Sequence, residues 1–219
     1  MHIVIAGGHG KIALLLAEAA TRRGDTVDGL VRNPDHAGAV AAAGARPVVL
    51  DLENTTPDAL AALLDGADAA VFAAGAGPGS GVARKYTVDR DGSVLLATAA
   101  ERAGARRFVQ ISSMGAGQPP AAGADEVWAA YLDAKSQAEQ DLRGRDLDWT
   151  ILRPGRLVDT PGTGAVTLSR PPVGRGDIPR ADVAAVVTEL LHTPATAGAT
   201  LELVTGATPF VDAVAQTVN

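Results

Sequence analysis

The chain has 219 residues, 47% apolar and 20% charged, a balance that excludes intrinsic disorder and suits a buried core. A net charge of −6 with no run of Lys or Arg excludes the clustered cations that nucleic acids require. The absence of cysteine excludes disulfides, thiol catalysis and Cys-ligated zinc, and no metal site is expected.

Short apolar runs alternate with helical patterns along the whole chain. Strands are predicted at His2–Ala6, Thr26–Val31, Arg46–Leu50, Asp68–Ala73, Arg107–Ser112, Trp149–Leu152 and Leu201–Val204. Helices are predicted at Ile12–Arg23, Asp35–Ala43, Pro57–Leu64, Lys85–Ala103, Ala129–Arg143 and Ala181–Leu191. Strand–helix alternation implies an α/β fold: a doubly wound, Rossmann-type parallel sheet with helices on both faces. With aromatics at only 3%, the core must be Ala, Val, Leu and Ile, which suits close helix-on-sheet packing. No linker or repeat interrupts the chain, so one domain over residues 1–219 is expected, with a small substrate-side portion from about 155 to 219. Gly155–Gly176 reads as the longest irregular stretch. Gly75–Gly81 and Ser113–Ala124 follow strands, so both are expected at the carboxyl edge, where such sheets bind ligands. No apolar stretch matches a membrane span and no basic, apolar leader precedes the first strand, so a cytoplasmic location without membrane contact is expected.

The first strand ends in Gly7-Gly8-His9-Gly10-Lys11-Ile12-Ala13. Glycines there permit a tight turn and close backbone approach to a pyrophosphate. The N–H groups of the following helix, from Lys11 and Ile12 onward, face the anion with a positive dipole end. A strand–helix turn likes glycine for purely structural reasons too, but its place at the first turn of an alternating chain points to a dinucleotide. The second strand ends Leu30-Val31-Arg32-Asn33. An NAD site wants an acid at that tip, whereas Arg32 can clamp a 2′-phosphate, so NADP is the expected cofactor. Asp28 lies mid-strand. Arg32 can also be read as a solvated turn residue. Lys11 adds positive charge beside the phosphates, and His9 reads as loop surface.

Tyr131 and Lys135 stand four apart on a predicted helix and share a face. An ammonium near a phenol favours the phenolate and makes the tyrosine a usable proton donor nearer neutral pH. The alternative is an ordinary surface pair. Together, Gly7–Ala13, Tyr131–Lys135, the segment Trp149–Leu157 and the segment Ile178–Ala184 resemble the short-chain dehydrogenase/reductase superfamily. More narrowly, they resemble its atypical branch of small NAD(P)H-binding proteins, which holds NmrA-like regulators and flavin or biliverdin reductase-like enzymes.

The resemblance implies Tyr131 as catalytic acid/base, Lys135 as its tuning group and a holder of the nicotinamide ribose, and Ser113 as the group that orients a substrate carbonyl. Ser113 also reads as a polar strand end. The resemblance further places Gly7, Gly8, Gly10, Lys11, Ile12, Arg32, Asp51, Leu52, Ala74 and Gly75 against the cofactor. Asp51 reads equally well as a helix-approach cap or an exposed acid. One departure stands out. Many members carry Asn on the helix after the fourth strand, and this chain has Asp89 there, which puts the usual proton relay in doubt. The expected function is NADPH-dependent reduction of a small carbonyl-like substrate. The alternatives are a cofactor-sensing regulator, an epimerase or a flavin-type reductase. A small-molecule substrate, no nucleic acid, and a monomer or homodimer complete the expectation. The pocket wall is expected from Gly77–Gly81, Gly115–Trp128 and Leu157–Pro172, with Trp128 its main aromatic or else part of the core.

Overall fold

The computed structural model describes residues 1–77, 79–119 and 123–218. Pro78 and residues 120–122, inside two of the segments expected beside the ligand, lie outside the described residues, as does Asn219. Strand β1 (His2–Ala6) runs straight into helix α1 (Lys11–Arg23), followed by β2 (Thr26–Val31), α2 (Ala37–Ala42) and β3 (Arg46–Val49). Then come α3 (Pro57–Leu63), β4 (Ala69–Phe72) and a continuous helical stretch. That stretch is one turn, α4 (Val82–Arg84), a π-helical segment (Lys85–Arg90) and α5 (Asp91–Ala103). Next are β5 (Arg107–Ile111), α6 (Glu126–Arg143), β6 (Asp148–Pro154), β7 (Arg156–Val158) and β8 (Ala165–Ser169). The chain closes with β9 (Asp177–Pro179), α7 (Arg180–Leu191), β10 (Ala199–Thr205), β11 (Thr208–Pro209) and α8 (Phe210–Gln216).

Local chemistry sets the boundaries. Thr56 caps α3 by accepting from the Ala59 N–H at 3.2 Å, with Pro57 in the first turn. Asp125 caps α6 through the Trp128 N–H at 2.9 Å. Gly24 ends α1 in the left-handed region at φ +95°, after Arg22 and Arg23 have placed cations at the negative end of the dipole.

The main sheet has the order β11-β8-β10-β6-β5-β4-β1-β2-β3. Every pairing from β3 through β10 is parallel. This is a Rossmann-like α/β fold with helices on both faces. The period of two in each strand divides the core. In β1, Ile3 and Ile5 join the cluster under α1 and α7, while Val4 and Ala6 join the one under α3 and α5. Strand order reverses between β1 and β4, so the loops after those strands diverge and open a crevice at the carboxyl edge.

Two expectations are corrected. The sheet is not parallel throughout, because β8 pairs antiparallel with β10 and β11 antiparallel with β8. Nor is Gly155–Gly176 irregular, since it contains β7 and β8, and β7 pairs with β9 in a separate two-stranded ladder. Both sheet margins carry a proline, Pro47 in β3 and Pro209 in β11. No described helix is long and apolar enough to cross a membrane.

Candidate functional site

The glycine loop sits in the crevice between β1 and β4. Gly7 has φ +82°, and a Cβ added there would lie 2.6 Å from the Ala74 Cα, so only glycine lets the two loops approach this closely. The Gly8 N–H donates to the Leu30 carbonyl at 2.8 Å, and a Cβ there would lie 2.7 Å from the Gly29 Cα. The Gly10 N–H closes the turn onto the Gly7 carbonyl at 2.9 Å. As the N-cap of α1, Gly10 brings no side chain to occupy the first-turn N–H groups.

A cleft of about 300 Å³ opens beside this loop. Of the expected cofactor residues it is lined by Gly7, Gly10, Arg32, Asp51, Leu52, Ala74 and Gly75. Gly8, Ile12, Lys11 and Lys135 do not line it. Gly8 is buried against Gly29, Ile12 packs on the core, and Lys11 forms an ion pair with Asp159 at 2.5 Å, which also holds Arg180 at 2.6 Å. Asp28 is buried and engaged by Arg46 and by His2 at 3.0 Å. Burial pushes its carboxyl up, but the Arg46 and His2 contacts outweigh this and hold it below the usual range.

At the strand-tip end of the cleft, Arg32 reaches Glu53 at 3.3 Å. Glu53 also accepts from Arg84 at 2.6 Å and from the Thr87 hydroxyl at 2.7 Å, and these bonds hold its carboxyl below the usual range. Asp51 turns back on its own loop, accepting from the Glu53 N–H at 3.0 Å and the Asn54 amide at 2.8 Å. Asp51 thus closes a turn at the cleft wall and does not cap the following helix, which Thr56 caps. The rings of His9 and His36 stack there, 3.6 Å apart between centres. Glu53 and Arg84 were missed because only the fold brings Arg32, Glu53 and Arg84 together.

The other end is buried. Lys135 lies 3.2 Å from Asp89 Oδ1, with side chains 4% and 1% exposed, and donates to the Ile111 carbonyl at 3.4 Å. The Asp89 contact is an ion pair without hydrogen-bond alignment, so Oδ1 accepts no hydrogen bond. Asp89 Oδ2 takes the Ala76 N–H at 3.0 Å. A Cβ on Gly75 would stand 3.0 Å from Oδ1, which explains a glycine at that position. The Lys135 ammonium is 5.7 Å from the centre of the Tyr131 ring. A second ammonium, Lys85, lies at the same 5.7 Å from that ring. Lys85 stands one helical turn before Asp89, and nothing in the sequence marks it, because only the fold brings it to Tyr131. Trp128, half exposed, packs on Tyr131 with ring centres 5.3 Å apart, so it is not core.

The two serines after β5 divide. Ser112 is buried and donates to Glu139 at 2.6 Å, within a network where Arg153 meets Glu139 at 2.9 and 2.5 Å. Ser113 is half-buried, and its hydroxyl donates only to the Met114 carbonyl, at 3.3 Å.

Comparison with known proteins gives the family. Residues 7–194 match the NAD(P)H-binding family. The chain belongs to that family. YhfK of Bacillus subtilis, named as an uncharacterized sugar epimerase, is 33% identical over 98% of this chain and 99% of its own. A Bacillus halodurans structure named as an NAD-dependent epimerase/dehydratase is also 33% identical, with a TM-score of 0.91 over 99% of each chain. The oxidoreductase YlbE of Lactococcus lactis is 26% identical, with a TM-score of 0.85 over 99% of this chain and 96% of its own.

The residues of this NAD(P)H-binding protein suit a dinucleotide. Gly7 and Gly10 line the cleft with backbone alone, and the first turn of α1 carries no side-chain cap. Leu30, Val31, Leu50 and Leu52 supply apolar walls toward the strand tips.

Proposed function

We propose that the chain is an NADPH-dependent reductase of the short-chain dehydrogenase/reductase type, acting on a small carbonyl-like acceptor. One observation carries the reading. Asp89 holds the Ala76 N–H, which lines the cofactor cleft, and pairs with Lys135, one helical turn from Tyr131. Tyr131 and Lys135 do not themselves line the cleft, but Asp89 ties Lys135 to Ala76 of its wall, which supports reading the Tyr–Lys pair as the reacting end. When bound, the reduced nicotinamide supplies the two electrons and the hydrogen that reduce the acceptor. Tyr131 supplies the proton that the developing alkoxide needs, and such general-acid help is worth about 10²–10⁴ in rate. Lys135, held by Asp89 and Ile111, keeps a positive charge beside the phenol. Ser113, whose hydroxyl has one weak local bond, is free to orient the acceptor oxygen. NADP is favoured over NAD because Arg32, just past the tip of the second strand, faces the cleft with Arg84, and the two share Glu53 through contacts that a 2′-phosphate can replace.

The test follows NADPH absorbance across aldehydes, ketones, quinones and flavins. Reduction of at least one acceptor is expected, and Tyr131→Phe should cut that turnover about 10²–10⁴-fold while barely changing NADPH affinity. Tight NADPH binding with no acceptor reduced would overturn the reading in favour of a cofactor-sensing protein. The names of two relatives favour a second reading, an epimerase. It would show as sugar inversion without net NADPH consumption.

A further inference from the structure

Lys85 is a buried ammonium that has no counter-ion among the described residues, and we propose that it binds a carboxylate on the molecule seated beside Tyr131. The proposal rests on the reading above only in taking Tyr131 as the reacting end. Lys85 is 8% exposed, and its Nζ donates one hydrogen bond, to the Gly77 carbonyl at 2.9 Å. Among the described residues no carboxylate comes within ion-pair distance of it, whereas Lys135 has Asp89 at 3.2 Å. An ammonium carries three donors, so two remain unused. A charge buried without a partner is costly to keep, and a bound anion removes that cost. Of the two ammoniums over the Tyr131 ring, Lys135 is paired with Asp89, and Lys85 has no such pair among the described residues.

The cofactor's phosphates are not the anion that this group meets. Arg84 and Val88 line the cofactor cleft, while Lys85, on the same helical stretch, does not. Its ammonium lies over the Tyr131 ring instead. Trp128, 50% exposed and packed on the same ring, adds an apolar face to the spot. The ligand class is therefore a carbonyl compound that carries an acid group, with an apolar or planar body to lie on Trp128.

The experiment measures binding rather than turnover, so its outcome does not depend on whether the chain reduces anything. Protein saturated with NADP⁺ is titrated by calorimetry with acetate, pyruvate and benzoate, each against its neutral amide. At least one carboxylate should bind roughly ten- to a hundredfold more tightly than its amide. That margin should vanish in Lys85→Met and return in part in Lys85→Arg, with NADP⁺ affinity unchanged in both. Equal binding of acids and amides, or carboxylate binding that survives Lys85→Met, overturns the proposal. So does a loss of NADP⁺ affinity in Lys85→Met that Lys85→Arg restores without any preference for acids, because Lys85 would then only clamp the Gly77 loop.

Discussion

At the strand-tip end of the cleft, Arg32 and Arg84 have side chains 57% and 38% exposed, and they share Glu53, itself 22% exposed. At the Tyr131 end, Lys135 and Asp89 face each other with 4% and 1% exposed. Exposed pairs are screened by water and contribute at most about 1 kcal/mol, so Glu53 can yield to a phosphate at small cost. A buried pair behaves differently. Its partners have surrendered their hydration, and removing one strands the other. In the proposed function, cofactor preference rests on exchangeable surface charges, and the geometry around Tyr131 on charges that cannot be exchanged singly.

The contrast can be broken at either end. Asp89→Ala should have the largest effect on folding, about 3–5 kcal/mol less stability by denaturant titration, because Lys135 is left buried and unpaired. A loss below about 1 kcal/mol would show that the pair behaves like a surface one. Arg32→Ala should reduce the preference for NADPH over NADH roughly ten- to a hundredfold, the worth of a charge-assisted contact, while stability stays nearly constant. Equal affinities for the two cofactors in the unmodified protein would remove the premise. Glu53→Gln should act least and in the opposite direction. It should tighten NADPH binding a few-fold by freeing Arg32 and Arg84, and cost at most about 1 kcal/mol of stability. The Arg84 and Thr87 contacts hold the Glu53 carboxyl low, so its small contribution to stability is present above the ordinary carboxylate range and is lost only as pH falls through the depressed value. Between pH 5 and 8 the wild-type and Glu53→Gln stability curves should therefore run parallel.

The first six strands were legible because each is an apolar run closed by a Gly-containing or capped turn. The last third was harder to read. Strands β7 and β9 have three residues each, too short to show a period, and β8 buries only Val166 and Leu168 between exposed neighbours. The helix predicted over Lys85–Ala103 does exist, but its π-helical opening could not be read from periodicity. Within the site, what is local in sequence was found: the glycine loop, the Tyr131–Lys135 spacing and the anomaly at Asp89. What depends on distant segments meeting was not, namely Glu53 between two arginines, Asp159 holding Lys11, and Lys85 over Tyr131.

The prolines at the two margins of the sheet have a consequence for the protein in crowded solution. A sheet edge is a template on which a strand from another chain can dock through free N–H and C=O groups. Here one margin is the four-residue β3 with Pro47, and the other the two-residue β11, which ends in Pro209. Proline has no N–H to offer an incoming strand, and both edges are too short to give a long ladder. The sheet is thus self-terminating, and a chain with an apolar interior of mostly Ala, Val and Leu is shielded from fibrous stacking at high concentration.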